Sequence, residues 1–341
     1  MIAIRPFTEE WTGAVRDFNA RIAGTGFDYP LIPAPDHFLA VEDTHMRGGY
    51  ILGRQRFWLQ GKALDVAHYR LPVVEGLGAD RAYATLGLQL IRHALKQQPL
   101  LYALGMGGFA QPLPRMLKAL GWSLRAVPFL FKVNQATGFL RNIEALRKTP
   151  VRRVALDLAA DSGLGGLGLW FLQRRLRGTS AGEVRDSFVP WAEVVWAGSF
   201  AEYGAIASRD SVALDGFYRR DAAVIRLKVG AVGWAVVLDT QMRGDKYFGD
   251  MRLGSIVDCL AAPADAAVVT GAAVRFLEQR GVDLIVSNQL HPAWVAALRG
   301  CGFREGPSNF IFAASKGLAE FLRPGVEVHV NRGDGDGPIH L

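Results

Sequence analysis

The chain has little cysteine and no long apolar run, and both shortages narrow what it can be. Only two of its 341 residues are cysteine, Cys259 and Cys301, too few for a disulfide framework, and no Cys/His cluster has zinc spacing. No stretch reaches the ~20 consecutive apolar residues that span a bilayer, and no secretory signal opens the sequence. These absences predict a protein of the reducing cytoplasm that holds no metal.

Basic residues outnumber acidic ones, but the excess is local. The formal net charge is +7, and residues 139–177 alone carry eight basic and three acidic residues. The flanking halves are therefore close to neutral, which argues against a protein that binds nucleic acid over its whole surface. Because apolar residues interrupt the basic stretch 150–177, contact with an anionic membrane is an alternative to an interdomain helical bridge.

Two parts of the chain show the same order of predicted elements. Each has strands, a helix, a buried strand, a second helix and a closing strand. The closing strands are predicted at 127–133 and 309–314, and duplication explains this order better than one large domain. The sequence therefore predicts four segments: an N-terminal domain over 1–138, a basic helical linker over 139–185, a C-terminal domain over 186–322, and a polar Gly/Asp tail over 323–341 that is outside the core.

The end of each part carries a recognisable spacing. The stretch from His291 to Phe303 is similar to the GNAT (acyl-CoA N-acyltransferase) motif Asn-x-x-Ala-x-x-x-Tyr-x-x-x-Gly-Phe, and Ala110 to Trp122 repeats it. The chain thus resembles two tandem GNAT-like domains of the α/β (α+β) class, each a mixed, mostly antiparallel sheet flanked by helices. The resemblance implies transfer of an acyl group from acyl-CoA to an amine on a small metabolite or an envelope or polysaccharide precursor.

The sequence departs from the GNAT pattern at two chemically important places. Family members that use acetyl-CoA usually have Gln/Arg-x-x-Gly-x-Gly/Ala, whose backbone N–H groups hold the pyrophosphate. The second half has an acid and one glycine between Pro263 and Gly271, whereas the first half offers glycines and Arg81 without the regular spacing. Leu117 and Leu298 replace the tyrosine often proposed as general acid, so neither half retains that group.

These departures leave two other interpretations open. Tandem GNAT-like folds without a regular CoA loop are similar to the FemAB group, which transfers aminoacyl groups from tRNA to cell-wall precursors, and tRNA would then be the nucleic-acid partner. The chain could instead keep the fold as a non-catalytic binding or scaffolding module. The loss of both tyrosines supports this last interpretation.

An acidic residue lies inside the apolar strand predicted at 256–260. A buried carboxylate is costly unless it is paired or hydrogen-bonded, so Asp258 is either a general base for the amine or an acid tied to arginine or backbone donors. Cys259 is interpreted as a core residue, and the alternative is a thiolate nucleophile. Through the resemblance, the backbone N–H groups of this strand, including Cys259 and Leu260, are candidates for binding the donor.

Polar residues follow the next predicted strand. Asn288 and Gln289 are candidates to hydrogen-bond an amide-containing ligand, and His291 either moves a proton or caps the following helix. By the resemblance, Asn309 either faces the same cleft or forms a turn. Glu75 stands where the base of the first half would be, with a solvated strand end as the alternative.

Overall fold

The computed structural model describes residues 2–76, 85–144, 146–147, 149–161, 181–218 and 223–335. The strands are β1 (Ile2–Pro6), β2 (His37–Glu42), β3 (His45–Leu59), β4 (Lys62–Val74), β5 (Leu101–Gly105), β6 (Ser123–Ala126), β7 (Phe129–Val133), β8 (Glu183–Arg185), β9 (Ala205–Ala207), β10 (Ile225–Val229), β11 (Gly233–Gln241), β12 (Arg252–Ala261), β13 (Leu284–Asn288), β14 (Arg304–Gly306), β15 (Ile311–Ala314) and β16 (Val328–His329). The α-helices are α1 (Thr12–Arg21), α2 (Leu86–Gln97), α3 (Pro112–Ala119), α4 (Ala136–Asn142), α5 (Pro150–Asp161), α6 (Trp191–Ser199), α7 (Ser211–Phe217), α8 (Ala266–Gln279), α9 (Pro292–Gly300) and α10 (Lys316–Ala319).

The chain folds into two compact units, and each contains its own sheet. The first unit comprises Met1–Phe57, Ala63–Arg125 and Ile311–Pro324, and the second comprises Trp58–Lys62, Ala126–Phe310 and Gly325–Leu341. In the first sheet the strand order is β1-β2-β3-β4-β5-β15-β6, and in the second it is β14-β7-β13-β12-β11-β10-β8.

The first unit has helices on both faces of its sheet. Leu90 of α2 and Leu117 of α3 pack with Ala67 of β4 in one apolar cluster. Phe18 of α1 packs with Leu39 of β2 in another cluster. The alternation of side chains along a strand explains how the same strands serve both clusters.

The second unit is built around β12. This strand pairs antiparallel with β11 from Gly233↔Ala261 to Gln241↔Arg252 and parallel with β13 on its other side. Val269, Ala273 and Leu277 of α8 are buried in the main cluster of this unit. The spacing of these three residues, four apart, places them on one face of the helix, which packs against the sheet.

The closing strand of each sequence half lies in the sheet of the other half. β7, which the sequence assigns to the first half, pairs antiparallel with β13. β15, assigned to the second half, pairs antiparallel with β5. The periodicity of a short apolar strand indicates that it is a strand but not which edge it joins, so the predicted boundaries at 138 and 186 do not coincide with the two units.

Part of the predicted polar tail is buried in the structure. Val328, His329, Val330, Asn331 and Asp334 are all buried. The prediction of a tail outside the core is therefore wrong for residues 328–334. The glycines and acids around Val328 give this segment the composition of a solvated tail. The burial of the short strand β16 depends on contacts with distant parts of the chain, which local composition does not reveal.

The fold class is confirmed: the sheets are mixed and mostly antiparallel. Parallel pairing occurs between β4 and β5 and between β12 and β13, while the neighbours of these pairs run antiparallel. Within the described ranges, no helix is long and apolar enough to cross a membrane.

Candidate functional site

In each sheet two neighbouring parallel strands part towards their carboxyl ends. In the first unit the register pairs Ala67 with Leu101 and His68 with Tyr102, and beyond these pairs the strands separate. We call this opening the first fork. Leu71 of β4, beyond the separation, has a positive φ of 44°, a conformation that distorts a regular strand.

The second unit contains the equivalent opening, which we call the second fork. Parallel pairing ends at Ile256↔Ser287, while β12 continues to Ala261. Against β11, Val236 opposes Asp258 and Val237 opposes Ile256, so β12 carries one extra residue. Such a bulge bends a strand and is a common device beside functional sites.

The strands that border the first fork remain partly accessible. Arg70, Leu71 and Pro72 on β4 are partly exposed, as are Gly105 and Met106 at the end of β5. The connection from β4 to α2 covers residues 75–85, of which 77–84 lie outside the described residues. Arg81, the predicted phosphate-binding residue, belongs to that part.

Two aromatic hydroxyls lie on the α2 side of the first fork. Tyr69, the first residue beyond the last pair, is buried, and its hydroxyl has no hydrogen-bond partner among the described residues. Its ring lies 5.3 Å from that of Tyr50, whose hydroxyl is 2.6 Å from Nδ1 of His93. Burial, followed by the nearby Tyr50, raises the pKa of Tyr69 well above its ordinary value, so the phenol stays protonated. An unpaired buried hydroxyl is a place where a ligand can supply the missing hydrogen bond.

The opposite face of β4 carries His68. Its ring stacks on Tyr102, with centroids 4.6 Å apart and an interplanar angle of 5°. The Gln55 side-chain amide donates to the Tyr102 hydroxyl. Burial and the positive charge of Arg70 lower the pKa of His68 well below its ordinary value, so the imidazole is neutral at neutral pH.

Glu75 lies at the end of β4, where the sequence places it. Its carboxylate accepts hydrogen bonds from Nε of Arg21 at 2.6 Å and from Nη1 of Arg47 at 3.0 Å. Burial acts to raise the pKa of Glu75, but the two arginines outweigh burial and hold the pKa below its ordinary value. Both carboxylate oxygens are therefore engaged by arginines, which gives Glu75 a structural ion pair rather than the position of a base.

Asp258 at the second fork is 2% exposed and has four hydrogen-bond donors. Oδ1 accepts from Nε of Arg209 at 3.0 Å, from Nδ2 of Asn331 at 2.6 Å and from the backbone N–H of Cys259 at 2.8 Å. Oδ2 accepts from the Tyr218 hydroxyl at 2.8 Å. These are the contacts that the structural alternative for Asp258 requires.

Arg209 extends this network to a second acid. Both Nη2 contacts to Asp334 are 2.8 Å, and Asp334 in turn accepts from the backbone N–H of Asn331 at 3.0 Å. Burial acts to lower the pKa of Arg209, but Asp258 and Asp334 raise it above its ordinary value. One buried cation thus holds two buried carboxylates, an arrangement that tolerates the loss of water because every member is paired.

The chain itself occupies the second fork. Residues Gly325–Gly335, which we call the C-terminal strap, enter beside β13: the N–H of Leu290 donates to the carbonyl of Val330 at 2.9 Å, and Gln289 and Asn331 form a bridge. The strap also contributes β16, which pairs in parallel with β9. The second fork is therefore filled by protein.

The predicted donor-binding residues of β12 lie within this filled region. The backbone N–H of Cys259 is bonded to Asp258, and Leu260 is fully buried in the apolar core. Burial, with the charge of Asp258, raises the pKa of the Cys259 thiol well above its ordinary value, which disfavours a thiolate.

Asn288 and Gln289 are buried at the end of β13, and the contacts of their side chains are to protein. Nδ2 of Asn288 lies 3.5 Å from the carbonyl of Pro128. Nε2 of Gln289 donates to Sγ of Cys259 at 3.4 Å and to Oγ of Ser287 at 3.3 Å.

His291 caps a helix, and Asn309 lies apart from it. Nδ1 of His291 accepts from the backbone N–H of Ala293 at 3.3 Å, which is the capping alternative, and Nε2 lies 3.2 Å from Oε2 of Glu327. Burial lowers the pKa of His291, and Glu327 acts against burial. Asn309 is exposed in the turn before β15.

The connection after β12 also differs from a pyrophosphate loop. Pro263–Asp265 form one turn of 3-10 helix directly before α8, without glycine and with an acid at the helix N-terminus. A carboxylate there repels phosphate. Across the described ranges, no group of three or more His, Cys, Asp or Glu side chains is placed to hold a metal ion.

The basic stretch 150–177 is described only as far as residue 161. Val151, Val154 and Leu158 of α5 are exposed. Contact of this stretch with a membrane stays a prediction.

Sequence reasoning missed His68, Tyr69 and Arg209. His68 and Tyr69 had a signal, because a histidine and a tyrosine follow the apolar pair Val66-Ala67 within β4. Arg209 had none, since it lies 49 residues before Asp258 in the chain.

Comparisons with known proteins identify the fold. No family model and no curated protein matches this sequence. Among solved structures, a conserved protein of unknown function from Enterococcus faecalis V583, described as a probable N-acyltransferase, is 11% identical with a TM-score of 0.53, over 94% of this chain and 74% of that one. Saccharomyces cerevisiae N-myristoyltransferase with bound myristoyl-CoA is 9% identical with a TM-score of 0.53, over 92% and 77%.

A third structure agrees with these two. The GCN5-related N-acetyltransferase from Anabaena variabilis ATCC 29413 is 10% identical with a TM-score of 0.50, over 92% of this chain and 72% of that one. The chain therefore has the GNAT fold, as the sequence predicts. At these identities the likeness establishes the fold alone.

Proposed function

We propose that this GNAT-fold chain is an N-acyltransferase that binds a single acyl-CoA donor, at the first fork, and transfers the acyl group to an amine. The observation that carries the proposal is the contrast between the two forks. The first has partly exposed strand ends and an unpaired buried hydroxyl, whereas the second is filled by the C-terminal strap. A thioester-bearing arm needs space between the strands, so the first fork is the better candidate.

The residues at the first fork suit a thioester arm. The pantetheine portion of CoA contains amides, which can pair with the Tyr69 hydroxyl left without a partner in the described residues. The 75–85 connection begins with Glu75 and Gly76, and Gly76 has a positive φ of 66°. Gly76 allows the close backbone approach that a pyrophosphate requires.

The proposed reaction needs one proton acceptor. The amine nitrogen attacks the thioester carbon, a C–N bond forms, the C–S bond breaks and the sulfur leaves as a thiolate. The amine loses a proton and the thiolate finally gains one. His68 is our candidate acceptor, because it lies at the last pair before the strands part and its lowered pKa keeps the ring neutral.

This assignment moves the chemistry away from the second unit. In our proposal Asp258, Cys259 and His291 have structural roles, and the second unit binds no donor. We propose that the acceptor is an amine on a small metabolite or on an envelope or polysaccharide precursor. The filled second fork is also the observation that favours the second candidate, a non-catalytic GNAT-fold scaffold.

A binding experiment separates the two candidates. Acetyl-CoA, a long-chain acyl-CoA and free CoA are added to the protein at about 1 mM, and the melting temperature is measured. A ligand at 100 times its dissociation constant stabilises the folded state by about 2.7 kcal/mol, so a transferase shows a clear rise. No rise with any of the three favours the scaffold. Binding of aminoacyl-tRNA that weakens steeply with salt would instead indicate FemAB-like transfer.

A further inference from the structure

The C-terminal strap carries a fully buried histidine. His329 is 0% exposed, and its ring makes edge contacts with Tyr203 at 4.8 Å and with Trp294 at 6.0 Å. The His291 ring lies 6.4 Å away. A histidine surrounded by rings and shielded from water favours its neutral form.

The charges around His329 also oppose a proton. Arg209 follows β9 and approaches from that side, Cys259 and Asp258 lie on β12, and His291 caps α9. Burial first, and then the charge of Arg209 and the proximity of His291, hold the pKa of His329 well below its ordinary value. Asp258 is already paired with Arg209, so it gives a protonated His329 little compensation.

The strap itself carries two acids, Glu327 and Asp334, near His329 in the sequence. Glu327 lies beside His291 rather than His329, and Asp334 is paired with Arg209. The backbone of the strap crosses the fork through the Leu290–Val330 hydrogen bond and the Gln289–Asn331 bridge. In this network Arg209 already pairs with both Asp258 and Asp334, so a protonated His329 would compete with Arg209 for the same carboxylates.

We propose that the C-terminal strap is a pH-dependent closure of the second fork, and that it is released when His329 takes up a proton. Release breaks the Leu290–Val330 hydrogen bond and exposes His329 and Asn331 to water. The inference concerns the second unit and holds whether or not the first fork transfers acyl groups.

The direction of the effect follows from linkage. A released His329 has an ordinary histidine pKa of about 6.5, whereas the buried form has a lower pKa. The strap is fully favoured above pH 6.5, and the ratio of closed to open forms falls by up to about tenfold for each pH unit below it, until the pKa of the buried form is reached.

Asp334 acts in the opposite direction. Burial raises the pKa of Asp334, and Asp258 adds to this, although Arg209 lowers it. A carboxyl group whose pKa is raised in the closed form favours closure as the pH falls. Substitution of His329 rather than Asp334 therefore isolates the proposed effect.

Hydrogen exchange tests the proposal on the full chain. Exchange of the backbone amides of Leu290, Asn331 and Gly333 is measured at pH 7.5 and pH 5.5, and each rate is divided by the intrinsic rate at that pH. We expect the opening ratio to rise at least about fivefold in the wild type and to change much less in His329→Gln. The matched control is His45→Gln, an exposed histidine of β3, which should behave as the wild type does.

Three results would overturn the proposal. They are a wild-type opening ratio that is constant with pH, an undiminished pH response in His329→Gln, and the same loss of response in His45→Gln. If His329→Gln does not fold, an NMR titration of His329 in the wild-type chain decides. A pKa below 6.5, with loss of strap protection in parallel, supports the proposal, whereas a pKa at or above 6.5 contradicts it.

Discussion

Nε of Arg209 lies 3.0 Å from Oδ1 of Asp258, and both side chains are almost completely buried. The same guanidinium holds Asp334 of the C-terminal strap at 2.8 Å. Arg209 therefore joins β12 to a segment 73 to 76 residues further along the chain. This relationship explains why an acid can lie in the middle of an apolar strand, and it supports the structural role that we propose for the second fork.

Removing the cation should destabilise the chain. Arg209→Met leaves Asp258 and Asp334 buried without their charged partner, so we expect a loss of about 3–5 kcal/mol in the free energy of unfolding. Urea unfolding measures it. The control is Arg185→Met, which removes a surface pair with Glu183 and should cost less than about 1 kcal/mol. Equal effects of the two substitutions would contradict the structural role.

Asp258→Asn tests whether Asp258 acts as the general base or only as a structural partner of Arg209. We expect loss of stability, since one charged acceptor of Arg209 is lost, while the acyl transfer rate of the remaining folded protein stays within about twofold. Stability and rate are measured on the same preparation. A folded Asp258→Asn protein without activity would restore Asp258 as the general base of the sequence-based hypothesis.

Tyr69→Phe should separate donor binding from stability. The hydroxyl has no partner among the described residues, so its removal should leave the melting temperature unchanged or slightly raised. Acyl-CoA should bind about two- to tenfold more weakly, because one hydrogen bond to a ligand contributes about 0.5–1.5 kcal/mol. Isothermal titration calorimetry measures the affinity.

Tyr203→Phe is the matched control for that substitution. The Tyr203 hydroxyl donates to the carbonyl of Ala261 at 2.7 Å and accepts from Nε1 of Trp294 at 3.0 Å. Its removal should therefore lower stability without changing acyl-CoA affinity. The opposite outcome, with affinity lost in Tyr203→Phe and kept in Tyr69→Phe, would place the donor in the second unit.

His68→Gln should affect turnover more than donor binding. If His68 accepts the amine proton, kcat falls by about 10²–10⁴, while the affinity for acyl-CoA changes little. Since burial lowers the pKa of His68, wild-type activity should persist below pH 6.5 rather than decline there. Release of the CoA thiol, followed at a series of pH values, measures kcat and its dependence on pH. His93→Gln, on α2, should retain most of the activity; a His68→Gln enzyme with normal kcat would exclude the proposed role.

Glu75 should contribute a pH-dependent part of stability. Its pKa is depressed in the folded chain, so its contribution is present above the unfolded value of about 4.3 and is lost as the pH falls through the folded value. Because the ion pairs with Arg21 and Arg47 are partly exposed, Glu75→Gln should cost only about 1 kcal/mol at pH 7. Urea unfolding at pH 7 and pH 3 should show a larger difference at pH 7 than at pH 3. Activity should stay within about twofold, and its loss would support Glu75 as a base.

The sequence predicts the elements of this fold better than their partners. The Gly-aromatic turns at Gly121-Trp122 and Gly302-Phe303, with the helices before them, carry local spacing that the structure keeps. The exchange of β7 and β15 between sheets leaves no such trace, since both are short apolar strands that fit either edge. Long-range pairing is therefore the part of the fold that a local pattern cannot supply.

In the candidate site, too, the sequence predicts local features but not the long-range contacts. The apolar surroundings of Asp258 predict its burial, and the structure agrees, but its donors Arg209 and Asn331 come from distant parts of the chain. The strap was missed for a related reason: Val328 and Val330 are flanked by glycines and acids that suggest a solvated tail. Whether a fork is open or filled depends on such tertiary contacts.

The number of acyl-CoA molecules bound per chain tests the central claim most directly. Titration of the wild-type chain with a non-hydrolysable acyl-CoA analogue should give a stoichiometry of one, and the affinity should fall in Tyr69→Phe and stay unchanged in Tyr203→Phe. Two molecules per chain, or one whose binding is insensitive to Tyr69, would contradict a single donor site at the first fork.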